Sequence, residues 1–322
     1  MSTPTVLFFS EGGPTAEVYR EYLPAGWCLE TLDRRDDEAE KLVRLSRANV
    51  LIHSDVPLTA AHLDAASGLR LIQRQGVGYD ALDLDAAEAR GIPVCLCPVG
   101  TAEAVAEHTI MLMLAVGRHL GEVQNDMRAG GWPKWAYRDR ALGLTGTRVG
   151  LVGFGRIGQA VAERLLPFGA QVLVARSGGR DPGGAWLARG VEAATDLDEV
   201  FRRSAIVSLH CPLTPETEGL VDRRRLGLMD ERAILINTAR GALVVEDDLV
   251  DVLRAGGIAG AGLDVLAQEP AAPDHPLRAL PMVLLTPHHA AGTRTAQRTK
   301  AQVVIANAIA VLSGDEPRFR LR

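Results

Sequence analysis

Short apolar segments recur along the chain, and between them lie longer segments in which apolar residues follow a helical spacing. A short run rich in β-branched side chains is typical of a buried strand. Strands that alternate with helices indicate parallel sheets built from βαβ units. The pattern predicts strands at Thr5–Phe9, Val50–His53, Leu69–Ile72, Ile92–Leu96, Val149–Gly153, Gln171–Ala175, Ile206–His210, Ala233–Asn237 and Val283–Thr286, and helices at Ala81–Arg90, Ile157–Leu166 and Glu246–Arg254.

The alternation occurs on both sides of residue 100, and 322 residues exceed the usual size of a single domain. Each half of the chain is therefore expected to form its own sheet. Between the halves, Thr101–Leu120 has helical character, contains no proline and little glycine, and is predicted to be a connecting helix.

Composition and charge exclude several classes of function. The net charge of −5 is spread along the chain, without the clustered Lys and Arg residues that bind nucleic acid. The longest apolar stretch, residues 110–117, is too short to span a bilayer. The N-terminal segment has no basic region before its apolar run, so no signal peptide is expected. A cytoplasmic protein with neither a membrane nor a nucleic-acid partner is predicted.

The four cysteines are too few and too scattered for a disulfide framework. Cys95 and Cys97 lie two positions apart, but no second Cys/His pair completes a metal site with them. Free thiols in a reducing compartment, and no metal site, are the expectation.

Residues 148–158 read R-V-G-L-V-G-F-G-R-I-G, with a predicted strand before the glycines and an amphipathic helix after them. Gly153 permits a tight turn, Gly155 lets the backbone approach a pyrophosphate, and Gly158 allows the helix to pack close to the strand. The helix N-terminus then faces the phosphates. The motif predicts a dinucleotide site, and a merely structural glycine turn is the alternative.

The residues after the second strand of this unit bear on the choice of cofactor. An NAD site is expected to have an acid about 20 residues after the glycines, where it binds the ribose 2′-hydroxyl. This chain instead has Arg176, Ser177 and Arg180. Arginines can pair with a 2′-phosphate that an acid would repel. NADP is favoured and NAD stays possible, with a solvated loop as the alternative.

Several further motifs resemble one family. They are G-V-G-Y-D at residues 76–80, H-C-P-L-T-P-E-T at 210–217, I-L-I-N-T-A-R-G-A-L-V-V-E-D at 234–247, A-G-L-D-V-L-A-Q-E-P at 261–270 and L-T-P-H-H-A-A-G-T at 285–293. In order and spacing they are similar to the D-isomer-specific 2-hydroxyacid dehydrogenase family, and to its glyoxylate/hydroxypyruvate reductases in particular. The resemblance covers nearly the whole chain from about residue 50 onward.

The resemblance implies a catalytic trio. Arg240 matches the arginine that orients the substrate, where its planar fork can hold a carboxylate and polarise the carbonyl. His288 matches the acid/base and Glu269 the carboxylate that holds it. An imidazolium is a suitable proton donor near neutral pH, and a nearby carboxylate favours its charged form. His289 is interpreted as a neighbour, because the family motif places the acid/base directly after Pro287.

The resemblance also implies the residues that bind the ligands. Backbone groups of Arg156 and Ile157 would face the pyrophosphate, and the carboxylate of Asp264 would hold the nicotinamide carboxamide. The other residues implied to bind the cofactor are Thr238 and Ala239, on the nicotinamide side, and Pro212 and Thr217. The amides of Gly76, Val77 and Gly78 would face the substrate carboxylate. A plain turn is the alternative for these three residues.

For the fold, the resemblance implies an α/β protein of two doubly wound parallel-sheet domains with the active site in the cleft between them. A flavodoxin-like substrate domain would comprise residues 1–99 and 292–322, and a Rossmann cofactor domain residues 100–291. A homodimer is expected.

The implied function is hydride transfer between NAD(P)H and the carbonyl of a small 2-keto acid, giving the D-2-hydroxy acid. Glu269 stands where formate dehydrogenases of the superfamily have glutamine. Phosphoglycerate dehydrogenases tend to have an arginine at His53 and commonly a C-terminal regulatory domain, for which a chain ending at Arg322 has no room. Glyoxylate or hydroxypyruvate is therefore favoured. The alternatives are a phosphoglycerate dehydrogenase-like enzyme and a dinucleotide-sensing, co-repressor-like binding protein.

Overall fold

A computed structural model describes residues 3–10, 15–54, 56–176 and 179–321. The chain divides into two compact units. The first comprises the residues up to Thr101 together with those from Gly292 onward, and the second is Ala102–Ala291. Each unit has its own all-parallel sheet with helices packed on it. The predicted α/β fold class with two parallel-sheet domains is confirmed.

The regular elements are as follows. The strands are β1 (Thr5–Ser10), β2 (Cys28–Asp33), β3 (Val50–His53), β4 (Leu71–Arg74), β5 (Val94–Cys95), β6 (Arg148–Val152), β7 (Gln171–Ala175), β8 (Glu192–Ala193), β9 (Ile206–Leu209), β10 (Ile234–Asn237), β11 (Gly260–Leu263) and β12 (Val283–Leu285). The helices are α1 (Thr15–Arg20), α2 (Glu38–Leu45), α3 (Ala60–Ala65), α4 (Leu84–Ala89), α5 (Thr101–Gly117), α6 (Leu120–Arg128), α7 (Arg156–Leu165), α8 (Gly184–Leu187), α9 (Leu197–Arg203), α10 (Arg223–Leu226), α11 (Glu246–Arg254) and α12 (Arg294–Ser313). None of the described helices is both long and apolar enough to cross a membrane.

The sheet of the first unit has the strand order β2-β1-β3-β4-β5, which is the flavodoxin-like order. Successive residues of β1 point to opposite faces, so Leu7 and Phe9 belong to one apolar core and Val6 and Phe8 to the other. The second of these cores also contains buried side chains of α12, among them Val304. The C-terminal helix is therefore part of the core of this unit.

The sheet of the second unit has the strand order β12-β11-β10-β9-β6-β7-β8. The chain builds outward from β6 to β8 on one side and from β9 to β12 on the other. The order therefore reverses between β6 and β9. In open parallel sheets, ligands bind beyond the carboxyl ends of the strands at such a reversal, because the loops there diverge to opposite faces.

Several details of the sequence prediction were wrong. Strands β2, β8 and β11 were not predicted, and the strand expected at Leu69–Ile72 lies at Leu71–Arg74. The connecting helix ends at Gly117, and a separate helix, α6, begins at Leu120. The four cysteines are free, as expected.

Candidate active site

Residues with a predicted catalytic or cofactor-binding role follow three neighbouring strands of the second unit. Asp264 comes directly after β11, Arg240 lies shortly after β10, and His288 lies shortly after β12. The strands are parallel and adjacent, so their carboxyl ends meet at one edge of the sheet. The topology therefore brings side chains from three distant motifs to a single edge.

His288 and Glu269 form a hydrogen-bonded pair. His288 Nδ1 lies 2.6 Å from Glu269 Oε2, and the side chains are 31% and 34% exposed. The other carboxylate oxygen, Oε1, accepts a hydrogen bond from the N–H of Leu266 at 3.0 Å. The carboxylate is thus held from one side while it orients the imidazole from the other.

The backbone of His288 adopts a left-handed conformation, with φ of +50°. For a residue other than glycine, such a conformation costs on the order of 1 kcal/mol and persists only where the surroundings enforce it. The His288 N–H donates to the carbonyl of Asp264 at 2.7 Å and to that of Thr286 at 3.1 Å. These contacts enforce a turn that presents the ring toward Glu269.

Asp264 organises the segment that carries His288. Its carboxylate is 1% exposed and accepts three hydrogen bonds. The donors are the Thr286 hydroxyl at 2.6 Å, the His289 N–H at 3.1 Å and the Ala290 N–H at 2.9 Å. The carboxylate therefore binds the two backbone N–H groups that directly follow His288 in the sequence. Its predicted contact with a nicotinamide carboxamide stays a prediction.

His108 extends this network from α5. Its Nε2 lies 2.9 Å from the Thr286 hydroxyl oxygen, whose own proton goes to Asp264. Burial lowers the pKa of His108, against the opposing effect of Asp264. The side-chain atoms of His108, Asp264 and His289 that could bind a metal ion lie within 4.8 Å of one another. Thr286 and two backbone N–H groups bond to Asp264, Thr286 bonds to His108, and the His289 ring packs edge-on against His108 with centroids 5.0 Å apart.

Arg240 lies on a short loop whose conformation is fixed by hydrogen bonds of the Asn237 side chain. The buried Asn237 side chain accepts from the Ala239 N–H at 3.0 Å and donates to the Arg240 carbonyl at 2.8 Å. Arg240 Nη1 donates to the Ala239 carbonyl at 2.8 Å. Behind the loop, the hydroxyl oxygens of Thr238 and Thr109 lie 2.9 Å apart. These hydrogen bonds fix the backbone from which the half-buried Arg240 side chain extends.

Gly241, the next residue, packs directly against another backbone segment. A Cβ at this position would lie 1.9 Å from the carbonyl carbon of Leu266 and 2.3 Å from the nitrogen of Ala267. Only glycine permits this approach. The segment that carries Arg240 is therefore in backbone contact with the turn that leads to Glu269.

A cavity of about 720 Å³ opens at the reversal between β6 and β9. Six of the predicted cofactor residues line this cavity and six do not. Ser177, which was also predicted, lies outside the described residues. The predicted residues that line the cavity are Gly153, Gly155, Arg176, Arg180, Pro212 and Thr217, and those that do not are Arg156, Ile157, Gly158, Thr238, Ala239 and Asp264.

The three glycines of the motif have the conformations and contacts that a dinucleotide site needs. Gly153 has φ of +96°, and a Cβ there would lie 2.6 Å from the backbone of His210. A Cβ on Gly158 would lie 2.5 Å from the Gly153 carbonyl oxygen. A Cβ on Gly155 would meet nothing within 4 Å, and α7 begins at the next residue. Open space at a helix N-terminus fits a pyrophosphate.

Charges of both signs line this cavity. Arg176 directly follows β7, and its Nη1 donates to the Asp181 carbonyl at 2.9 Å. Asp196, which also lines the cavity, accepts from the Glu199 N–H at 2.7 Å as the N-cap of α9. Its carboxylate is thus engaged by the helix, whereas Arg176 stands where the acid of an NAD site was expected.

The loop at residues 76–78 lies in the first unit, after β4. The Gly76 carbonyl accepts a hydrogen bond from the Cys97 N–H at 2.9 Å. The Gly78 carbonyl accepts one from Arg74 Nε at 2.6 Å. Val77, between the glycines, is 38% exposed. The loop is thus held by its carbonyl groups.

Comparison with known proteins decides the family. Residues 110–290, which carry the glycine motif, Arg240, Glu269 and His288, match the family described as D-isomer specific 2-hydroxyacid dehydrogenase, NAD binding domain. The chain belongs to this family. The resemblance predicted from the motifs is confirmed.

Relatives within the D-isomer specific 2-hydroxyacid dehydrogenase family differ in substrate. A glyoxylate reductase of Thermofilum pendens is 42% identical over 81% of this chain and 77% of its own length. A D-3-phosphoglycerate dehydrogenase of Mycobacterium leprae is 38% identical over 87% of this chain, which spans only 52% of that protein. An NADPH-dependent glyoxylate/hydroxypyruvate reductase of Sinorhizobium meliloti, solved with NADP and malonate, is 30% identical over 99% of this chain and 97% of that one, with a TM-score of 0.81.

The motifs of this 2-hydroxyacid dehydrogenase family did not reveal the residues that support its site. Asn237 lies within a motif, but its contribution is a hydrogen bond that only the folded loop shows. His108 and Thr286 are far apart in sequence, and Arg74 precedes the G-V-G motif. His108 lies on α5 and Arg74 on β4, where a polar residue is usually interpreted as a local hydrogen-bonding group, and Thr286 lies within the motif at 285–293 but its role depends on contacts between distant residues.

Proposed function

We propose that the chain reduces the carbonyl of a small 2-keto acid to the D-2-hydroxy acid, with NADPH as the preferred reductant. The observation that carries this proposal is the pair of His288 Nδ1 and Glu269 Oε2, 2.6 Å apart, on a strained turn at the carboxyl edge of the cofactor-type sheet. Such a pair supports proton transfer, which is the part of a ketone reduction that the protein itself must perform.

In this proposal His288 moves the proton. Its Nδ1 is bonded to Glu269, so Nε2 is the nitrogen that delivers a proton to the alkoxide as the carbonyl is reduced. Glu269 stabilises the imidazolium before transfer and keeps the ring oriented. NADPH, when bound, supplies the hydride. In the reverse direction the neutral imidazole accepts the proton of the hydroxyl group.

Arg240 is assigned to the substrate. A guanidinium fork can bind the substrate carboxylate through two N–H groups, and its charge also stabilises the negative oxygen that forms on reduction. The amides of Gly76, Val77 and Gly78 are assigned to the same carboxylate.

For the cofactor, the open space at Gly155 and the N-terminus of α7 support binding of the pyrophosphate by the amides of Arg156 and Ile157. Arg176 and Arg180 line the same cavity and are assigned to a 2′-phosphate. The structurally similar reductase of Sinorhizobium meliloti is described as NADPH-dependent, which agrees with this preference. The predicted homodimer and cytoplasmic location stay predictions.

Glyoxylate or hydroxypyruvate is the proposed substrate. Relatives at 42% and 32% identity are described as a glyoxylate reductase and a hydroxypyruvate reductase. A phosphorylated 2-keto acid is the second candidate, because of the 38% identity to a phosphoglycerate dehydrogenase. His53, where those enzymes tend to have an arginine, is 0% exposed and cannot contact a phosphate in this conformation.

A panel of 2-keto acids tests the function. Glyoxylate, hydroxypyruvate, pyruvate and 3-phosphohydroxypyruvate are compared by the oxidation of NADPH and of NADH at 340 nm. We expect the highest kcat/KM with glyoxylate or hydroxypyruvate and NADPH, and D-glycerate as the product from hydroxypyruvate. Cofactor binding without turnover of any of these acids would instead support the binding-protein alternative.

Arg176→Ala tests the cofactor preference. Loss of charge-assisted hydrogen bonds to a 2′-phosphate costs about 1.5–3 kcal/mol, so the Kd of NADPH is expected to rise by about 10- to 150-fold. The Kd of NADH should change little, because NADH lacks that phosphate. Cofactor titration by fluorescence measures both.

Arg189→Ala is the matched control, since Arg189 is also in the second unit but stacks on Trp186. It should leave both affinities unchanged. An equal loss of NADPH and NADH affinity in Arg176→Ala would rule out the 2′-phosphate assignment.

A further inference from the structure

The loop at residues 76–79 directs its carbonyl groups inward. The Gly76 carbonyl faces Cys97, and the Gly78 carbonyl faces Arg74. In a trans peptide the C=O and the following N–H point in opposite directions. The N–H groups of Val77 and Tyr79 therefore point away from the protein interior. Among the described residues, no acceptor is hydrogen-bonded to the N–H groups of this loop.

The Arg74 guanidinium connects this loop to the end of β3. Its Nε donates to Gly78 O at 2.6 Å, and its Nη1 lies 2.8 Å from His53 Nδ1. Nη1 also donates to the carbonyl of His53 at 3.3 Å and to that of Ser54. Arg74 is only 2% exposed. One buried fork thus spans the ends of two neighbouring strands.

His53 is built to accept this hydrogen bond. Its Nε2 lies 2.8 Å from the carbonyl oxygen of Val56, which can only accept, so Nε2 carries the proton. Nδ1 of the neutral ring is then the acceptor for Arg74. The ring is 0% exposed and tilted against Phe9. The His53 ring thus holds Arg74 through a hydrogen bond, and the Arg74 guanidinium lies buried directly behind the loop.

We propose that Arg74 is a positioning residue for recognition of the substrate carboxylate. Its fork fixes the Gly78 carbonyl inward and so turns the N–H of the next residue, Tyr79, outward beside that of Val77. The inference rests on the proposed function, in which this loop binds the carboxylate of a 2-keto acid. Arg74 itself is too deeply buried to contact that substrate.

The test compares Arg74→Gln and Arg74→Lys with the native protein. Arg74→Gln should raise the KM for glyoxylate by about 10- to 100-fold, the range for loss of a hydrogen bond to a charged group. The kcat and the Kd of NADPH should change less than about threefold. Arg74→Lys keeps a donor at the end of the side chain but lacks the fork that spans Gly78 and His53, so its KM should lie between the two.

An uncharged substrate separates positioning from a general structural defect. Methylglyoxal offers a carbonyl but no carboxylate, so its kcat/KM should be the same in Arg74→Gln and in the native protein. Arg70→Gln is the matched control, because Arg70 donates to the Val311 carbonyl at 3.2 Å in the same unit. It should leave the KM for glyoxylate unchanged. An equal loss of kcat/KM for both substrates in Arg74→Gln would contradict the proposal.

Oxalate binding, measured by calorimetry in the presence of NADPH, distinguishes this inference from the proposed function. A native protein that binds oxalate but reduces no 2-keto acid would contradict the proposed function alone. Unchanged oxalate affinity in both Arg74 variants, or no oxalate binding by the native protein, would overturn the role of Arg74. If Arg74→Gln does not fold, the oxalate affinity of Arg74→Lys decides.

Discussion

Replacement of His288 by alanine is expected to lower the kcat for 2-keto acid reduction by about 10²- to 10⁴-fold, the usual contribution of a positioned general acid. The imidazole bonded to Glu269 at 2.6 Å is the proposed proton donor, and alanine cannot transfer a proton. NADPH affinity should stay nearly unchanged, because His288 is assigned to the substrate oxygen and not to the cofactor. Steady-state kinetics and fluorescence titration measure the two quantities.

Two further variants make this experiment specific. His288→Asn also lacks the proton donor, but asparagine tolerates the left-handed backbone at φ of +50° better than alanine does. It should show the same loss of kcat. His289→Ala keeps the backbone N–H that bonds to Asp264 and should retain most of the activity. If NADPH affinity collapses in both His288 variants, the histidine is structural.

Arg240→Lys is expected to lower kcat/KM for glyoxylate by about 10²- to 10³-fold, comparable to the loss of one donor to a developing oxyanion. Lysine keeps the charge but lacks the planar fork that binds a carboxylate through two N–H groups. Because the proposed arginine also polarises the carbonyl, kcat should fall as well as KM rise. Initial rates over a range of glyoxylate concentrations separate the two parameters.

Arg232→Lys provides the control for this substitution. Arg232 is an exposed arginine of the same unit that pairs with Asp230, so its replacement should leave both parameters unchanged. A raised KM with unchanged kcat in Arg240→Lys would limit Arg240 to substrate binding and remove its role at the carbonyl.

The strands that could be predicted from sequence are those whose apolar runs are buried on both faces, such as β3, β7 and β10. β11 was not predicted because two of its four residues are glycines, Gly260 and Gly262, which are not typical of strands. A Cβ on Gly262 would lie 3.1 Å from Leu112 and 3.0 Å from Ile236. The strand is glycine-rich because α5 packs closely on it, a tertiary reason that a propensity argument does not contain.

For the site, the motifs identified the residues that were assigned chemistry, because those residues lie in short conspicuous segments. The supporting groups could not be found in this way. The bond between His108 and Thr286 joins residues separated by 178 positions, and that between Arg74 and His53 joins neighbouring strands. Such contacts depend on strand order and register. No strand order was predicted for either sheet, and the family resemblance implied only doubly wound parallel sheets.

The packing at Gly241 has a consequence for altering this protein by exchange of loops. The segment with Arg240 and the turn before Glu269 share a backbone contact that leaves no room for a Cβ. A chimera that receives one of these segments from a relative would inherit a surface shaped for a different counterpart. The two segments should therefore be exchanged together. Libraries that vary substrate range should take residues 238–241 and 266–269 from the same relative.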